Sequence, residues 1–253
     1  MTRTPYLAGN WKMHLTKRRA SALARAVAAH HDGAPRRHCA VFPAFVHLEH
    51  VRRNLRGSEV KLGAQNCYGK KEGAFTGEVS PYMLRDMGVE VVLLGHSERR
   101  HVFGESDAMI LDKVKVALRA KLEIILCVGE TLEEREEGRT FEVLARQLKA
   151  LKAVKPEQVD RVAVAYEPVW AIGTGLTATP AQAQEAHAEC RARIADTLGA
   201  DAAAGMHVLY GGSAKPSNAA ELLAQPDVDG LLVGGASLSI DDFGPILDAA
   251  PAR

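Results

Sequence analysis

A single closed (β/α)8 barrel of parallel strands is the fold this 253-residue chain predicts. Three observations carry it. Eight short runs, at 6–9, 39–42, 61–64, 89–94, 124–128, 162–165, 207–210 and 230–233, are continuously or almost continuously apolar rather than alternating. A strand buried on both faces of a parallel sheet has that character. Helix-patterned segments lie between the runs, and alternation of the two element types marks an α/β sheet. Several runs also end alike: LLGHSE, ILCVGE, VLYGGS and LLVGGAS each pass from apolar residues into glycine and small or polar ones. Repeated endings of this kind place several loops on one face. Eight βα units across residues 1–253, with no linker-like stretch, predict one domain closed as a barrel. A doubly wound open sheet is the alternative, weakened because no GxGxxG follows the first run.

The helical segments follow from spacing and caps. Residues 17–31 are rich in alanine and leucine with basic residues interspersed. Residues 107–120 carry Ile110, Leu111, Val114 and Leu118 on one stripe, and 142–151 repeat the pattern with Val143, Leu144 and Leu148. Thr179 followed by Pro180 is an N-cap and a first-turn proline, opening a helix over 181–198 that Gly199 ends.

Composition narrows the function. Hydrophobic residues make up 47% and charged residues 25%, an ordinary globular mix, and the net charge of +1 argues against a nucleic-acid footprint or an electrostatic hold on a membrane. No apolar run reaches bilayer-spanning length, and the N-terminal residues Met1 to Pro5 do not read as a secretory signal. Cys39, Cys67, Cys127 and Cys190 fit no metal or CxxC spacing, so they read as reduced thiols in a reducing, cytoplasmic compartment.

In such a barrel, functional residues stand where strands end. Asn10 and Lys12 follow the first run, His96, Ser97 and Glu98 the fourth, and Gly129 and Glu130 the fifth. Glu167 and a glycine-containing loop follow the sixth, Gly211, Gly212 and Ser213 the seventh, and Gly234 and Gly235 the eighth. Singly, each has an ordinary structural reading: a solvated lysine, a hydrogen-bonded histidine, a capping glutamate, a turn. Together they offer a fixed cation, an imidazole, a carboxylate base and two glycine pairs whose N–H groups can approach an anion. The substrate they suggest is a small phosphorylated molecule with a proton to be moved at its far end.

The stretches AGNWKMH (8–14), GAQNCY (63–68), GAFTGEVSP (73–81), LLGHSERR (93–100), CVGE (127–130), AYEPVWAIGTG (165–175), YGGS (210–213) and GGASL (234–238) stand in one order along the chain. In this the chain resembles the triosephosphate isomerase family, whose fold is the TIM barrel. The resemblance implies interconversion of D-glyceraldehyde 3-phosphate and dihydroxyacetone phosphate through an enediolate, in glycolysis and gluconeogenesis, with no cofactor and no metal. It implies Glu167 as the base, His96 as a neutral imidazole polarising the carbonyl, Lys12 stabilising negative charge, and Asn10 bonding the substrate near that carbonyl. The neutral imidazole that the resemblance implies would be favoured by the start of a short helix at Ser97 and Glu98. The resemblance implies that Glu98 and Cys127 hold these groups without reacting. By the same resemblance, Gly173, Ser213, Gly234 and Gly235 would hold the phosphate.

The resemblance also makes Pro168, Val169, Trp170, Ala171, Ile172, Gly173, Thr174, Gly175 and Leu176 a lid that closes over the substrate. In the resembling family the loop matching 69–80, with Phe75 and Thr76 here, reaches into a second subunit, where the residue at Thr76 packs beside the partner's Asn10 and Lys12, so the resemblance implies a homodimer. Two positions depart from the family pattern. Leu176 stands where lysine is common, with an effect expected on lid opening. His14 stands where asparagine is common, with an effect expected on the pH dependence of assembly. A Schiff-base aldolase using Lys12 and a catalytically silent phosphosugar-binding barrel are the competing functions.

Overall fold

A computed structural model describes residues 3–32, 37–173 and 176–251 of the chain. The elements run β1 (Tyr6–Asn10), α1 (Lys17–Asp32), β2 (His38–Phe42), α2 (Leu48–Asn54), β3 (Lys61–Ala64), α3 (Pro81–Asp86), β4 (Val91–Leu94), α4 (Ser97–His101), α5 (Asp107–Arg119) and β5 (Glu123–Val128). They continue with α6 (Leu132–Glu136), α7 (Thr140–Gln147), β6 (Val162–Tyr166), α8 (Pro180–Leu198), α9 (Ala200–Gly205), β7 (Val208–Tyr210), α10 (Ala219–Leu223), β8 (Gly230–Val233) and α11 (Ile240–Asp248). Each strand pairs in parallel with the next, and β8 returns to β1 with Tyr6 opposite Gly230 and Gly9 opposite Val233. The sheet is therefore a closed barrel without edges.

Two layers of core explain why the strands are apolar throughout. Tyr6, Ala8, Ala40, Phe42, Val91, Leu93, Ile125 and Cys127 fill the barrel interior with four further residues from β6, β7 and β8. Their sequence neighbours, among them Leu7, Val41, Val92, Leu126 and Val164, point outward against the helices. Both faces are dry, so no polar alternation is possible.

All eight expected runs become strands, with small changes of boundary. The fourth begins at Val91, not Val89, because the Val89 N–H bonds the Leu84 carbonyl and finishes the turn after α3. The helix expected over 142–151 begins at Thr140 and tightens after Gln147 into 3-10 turns over Leu148–Ala153. Thr179 and Gln182 form a reciprocal capping box at the start of α8, and Gly199, at φ 96°, ends it in a conformation that favours glycine.

Candidate active site

The residues expected to carry chemistry gather at the C-terminal ends of the strands. They surround a cavity of about 710 Å³ bounded by Asn10, Lys12, His96, Glu167, Gly173, Ser213, Gly234 and Gly235. That volume suits a small metabolite with water beside it.

Glu167 directly follows β6 and is almost wholly buried, at 2% exposure. Its N–H bonds the Val128 carbonyl at 2.7 Å, which ties the end of β6 to β5. The neighbouring strand ends leave room for it only because they carry glycine. A Cβ on Gly129 would stand 1.8 Å from the Glu167 carbonyl oxygen, and one on Gly211 would stand 2.7 Å from its Cγ. The carboxylate accepts the Ser97 N–H at 2.8 Å through Oε2, and its Oε1 lies 3.2 Å from His96 Nε2.

His96 is the N-cap of α4, and its Nδ1 accepts the Glu98 N–H at 3.2 Å. A ring nitrogen that accepts a backbone N–H carries no proton. In this arrangement the imidazole is therefore neutral, with its one N–H at Nε2, facing the cavity and Glu167.

Lys12 is held by three contacts, one of them from a side chain that also bridges to β2. Its Nζ meets Glu98 Oε1 at 2.7 Å, and its N–H donates to Asn10 Oδ1 at 3.0 Å. Gln65 Nε2 donates to the Lys12 carbonyl at 2.8 Å and to the Phe42 carbonyl at 2.9 Å. The backbone of Lys12 sits at φ 49°, a left-handed conformation that costs a non-glycine residue about 1–3 kcal/mol and persists only where surroundings enforce it. Burial opposes ionisation of Glu98, but the hydrogen bond from Lys12 and the charge of its ammonium outweigh it and hold the carboxyl below its usual range. His14, exposed, also lines the cavity mouth. Burial, reinforced by the Glu167 charge, pushes the Cys127 thiol well up. This thiol is an inert neighbour of the carboxylate.

The segment expected to form a lid begins at Pro168 and makes one 3-10 turn, Val169–Ala171. It is anchored by Glu130, whose Oε1 accepts Tyr166 Oη at 3.0 Å, Trp170 Nε1 at 3.0 Å and Arg135 Nη1 at 3.1 Å. The Arg135 guanidinium also lies 5.0 Å from the centre of the Trp170 ring. Ala171 accepts the Ser213 N–H at 3.1 Å, joining the lid to the β7 loop. Ile172 and Gly173 border the cavity, and Leu176 is 54% exposed. Thr174 and Gly175 lie outside the described residues. Phe75 and Thr76 stand on an exposed loop and do not line the cavity; the Phe75 ring packs on Tyr68 at 4.7 Å.

Gln65, Glu130 and Arg135 position these groups without having been assigned a role from the sequence. Gln65 is the residue after β3, so the rule that singles out Lys12 applies to it equally. Arg135 comes from within α6 and has no local signal.

A carboxylate beside a neutral imidazole donor and a fixed ammonium, above glycine loops able to take an anion, suits proton transfer next to a carbonyl group. The barrel is that of an isomerase-type enzyme. Residues 5–250 match the triosephosphate isomerase family. The triosephosphate isomerase of Syntrophotalea carbinolica is 50% identical over 242 residues, 95% of this chain and 96% of that one. That of Carboxydothermus hydrogenoformans is 50% identical over 246 residues, 97% of this chain and 98% of its own. That of a Roseiflexus species is 48% identical over 252 residues, 99% of each. The chain belongs to the triosephosphate isomerase family.

Proposed function

We propose that the chain interconverts glyceraldehyde 3-phosphate and dihydroxyacetone phosphate with Glu167 as its base and His96 as its electrophile. The Glu167 carboxylate takes a proton from the carbon beside the carbonyl, and the freed electron pair moves onto the carbonyl oxygen. His96 Nε2–H and the Lys12 ammonium meet the negative charge that develops there. The proton then returns to the neighbouring carbon. Asn10 bonds the substrate near its carbonyl, while Gly173, Ser213, Gly234 and Gly235 take the phosphate. The lid excludes water, because an enediolate exposed to solvent eliminates its phosphate. Glu98 and Gln65 act through Lys12, and Cys127 through Glu167.

The observation that supports this most is the His96 lock: Nδ1 is occupied by the Glu98 N–H, and Nε2 lies 3.2 Å from Glu167. Substrate must draw both partners away from each other, and a carbonyl oxygen placed between them would receive the Nε2–H. The test is a coupled assay in both directions on the parent and Glu167→Asp, which keeps the charge but withdraws it by one methylene. A fall of about a hundredfold or more is expected, as small misplacements of a reacting group cost about that much. Unchanged turnover in the variant removes Glu167 from the role. Borohydride trapping of substrate on Lys12 would favour the Schiff-base reading instead.

The working form proposed is a homodimer in the cytoplasm. The four cysteines are free and buried, which suits a reducing compartment. No helix among the described residues is long and apolar enough to cross a membrane. Large exposed apolar residues concentrate in the first half of the barrel: Met13 after β1, Phe45 and Val46 after β2, Phe75, Tyr82 and Met83 after β3, and Val102 and Phe103 after β4. An apolar surface of that extent on one side calls for a partner. A second copy contributing Phe75 and Thr76 would cover it, with Thr76 beside the partner's Asn10 and Lys12.

A further inference from the structure

The opposite, N-terminal end of the barrel is not sealed by hydrocarbon. Tyr6 belongs to the interior layer and is in register with His38. His207 stands just before β7, and the three rings meet edge to face, with centroids 5.8, 5.9 and 5.5 Å apart. Around them a cavity of about 110 Å³ is lined by polar groups, Lys61, Glu123 and Arg161 among them.

An inventory of donors and acceptors shows what the space lacks. Tyr6 Oη is buried and has no partner. Lys61 Nζ is engaged by both oxygens of Glu123, at 2.6 and 2.7 Å. His207 Nε2 donates to the Thr4 carbonyl at 2.8 Å. Arg161, which has five N–H donors and no acceptor, makes no side-chain hydrogen bond or ion pair among the described residues. Asp160 is exposed at the rim and the Arg161 side chain is half-exposed, so the two carboxylates cancel the two fixed cations, and among the described groups lining this cavity the buried donor left unmatched is the Tyr6 phenol. A buried donor without an acceptor is costly, and an occupant that only accepts would remove that cost.

We propose that this barrel floor is a binding site for a small inorganic monoanion of the halide class, held by Tyr6 Oη and the His38 and His207 edges, with Arg161 at the entrance. The volume supports the class. About 110 Å³ is the share of three or four waters, room for one halide and its residual hydration, and well short of the several hundred Å³ that a metabolite needs. The site is distinct from the catalytic cavity, which lies at the other end of the strands.

Occupancy is coupled to protons. Burial, then the His207, Lys61 and His31 charges, lowers the His38 pKa against the pull of Glu123. Burial, with Arg3 and Arg191, lowers that of His207 against the Thr4 carbonyl and Asp229. Both rings are thus neutral at neutral pH when the cavity holds no charge. An anion favours their protonation, so by linkage it binds more tightly as pH falls below the ordinary histidine range.

The test uses the whole protein and bromide, which anomalous scattering locates. Crystals soaked at about pH 5.5 and about pH 8 bracket the ordinary histidine value. The expected result is a bromide within hydrogen-bond distance of Tyr6 Oη at the lower pH, depleted at the higher. In solution, bromide should raise the unfolding midpoint of the parent at about pH 5.5, with affinity about tenfold weaker near pH 8. Tyr6→Phe and His38→Asn should lose that gain while keeping kcat/KM, since neither residue touches the catalytic cavity. Water in place of bromide at both pH values overturns the proposal. So does an equal gain in the parent and both variants, which would put the ion at the glycine loops of the other face.

Discussion

The carboxylate of Glu167 shows how strictly one side chain constrains residues distant in sequence. Its Cγ lies where a Cβ on Gly211 would be, 2.7 Å away, while Gly211 has no left-handed backbone to explain its being glycine. Gly211→Ala is therefore expected to fold, losing about 1–3 kcal/mol to overpacking, and to lose kcat/KM about a hundredfold by displacing the carboxylate proposed as base. Steady-state kinetics and thermal unfolding on one preparation check it. Full activity would show that the carboxylate does not need its present place. At this scale the ionisable groups were legible because each stands at a strand end: Lys12, His96 and Glu167. The polar residues that hold them were less so. The two Gln65 bonds to the Lys12 and Phe42 carbonyls, at 2.8 and 2.9 Å, depend on β2 and β3 lying side by side, which no local pattern states.

Elements differ in how clearly they announce themselves. The strands are readable because both faces are buried, so hydrophobicity is continuous, and α1, α5 and α8 because they are long enough to show a stripe or a cap. Short helices such as α2, α6 and α10 span two turns or fewer and carry no periodicity to read. That loss matters at α6, which supplies Arg135 to the cluster that holds Trp170 on Glu130. Glu130 Oε1 accepts three donors there, from Tyr166, Trp170 and Arg135, and the side chain is fully buried. Glu130→Gln keeps the shape but strips the charge that balances Arg135. Removing one partner of a buried pair costs about 3–5 kcal/mol, so the unfolding midpoint should fall by roughly 10 °C for a domain of this size. The same change releases Trp170, so kcat and KM should shift together, as hinge changes do. A midpoint within about 2 °C of the parent would show that the anchor contributes little.

For the whole molecule, the barrel was legible from the strands themselves, whereas the homodimer was expected only from the family resemblance and the apolar Phe75, because the other exposed apolar residues come from separate loops whose proximity depends on strand order. If the 69–80 loop docks on a second copy, Phe75→Glu should shift the sedimentation coefficient to that of a monomer and lower activity, since Lys12 and Asn10 would lose the partner's Thr76. A variant that stays dimeric and active places the interface elsewhere. The four perturbed histidines set a second global property. Burial lowers the pKa of His31, His38 and His207, and takes that of His187 to about 4. In the folded state these rings prefer to be neutral, whereas unfolded rings take protons near about 6.5. Below that value the unfolded chain binds more protons, so stability falls as pH falls. Their contribution is complete above about pH 7 and is lost between about 6.5 and 4. Glu98 and Asp227, whose pKa values are lowered, keep their contribution until the carboxylate range is reached and so cannot produce loss near pH 6. His187 alone accounts for roughly 3 kcal/mol across the window, about 10 °C in the midpoint. Calorimetry in halide-free buffer should therefore show a flat midpoint from about pH 8 to 7 and a steady decline from about 6.5 downward. A midpoint that stays level to about pH 4.5 would mean that the buried rings accept protons without strain, and that the fold relaxes around them.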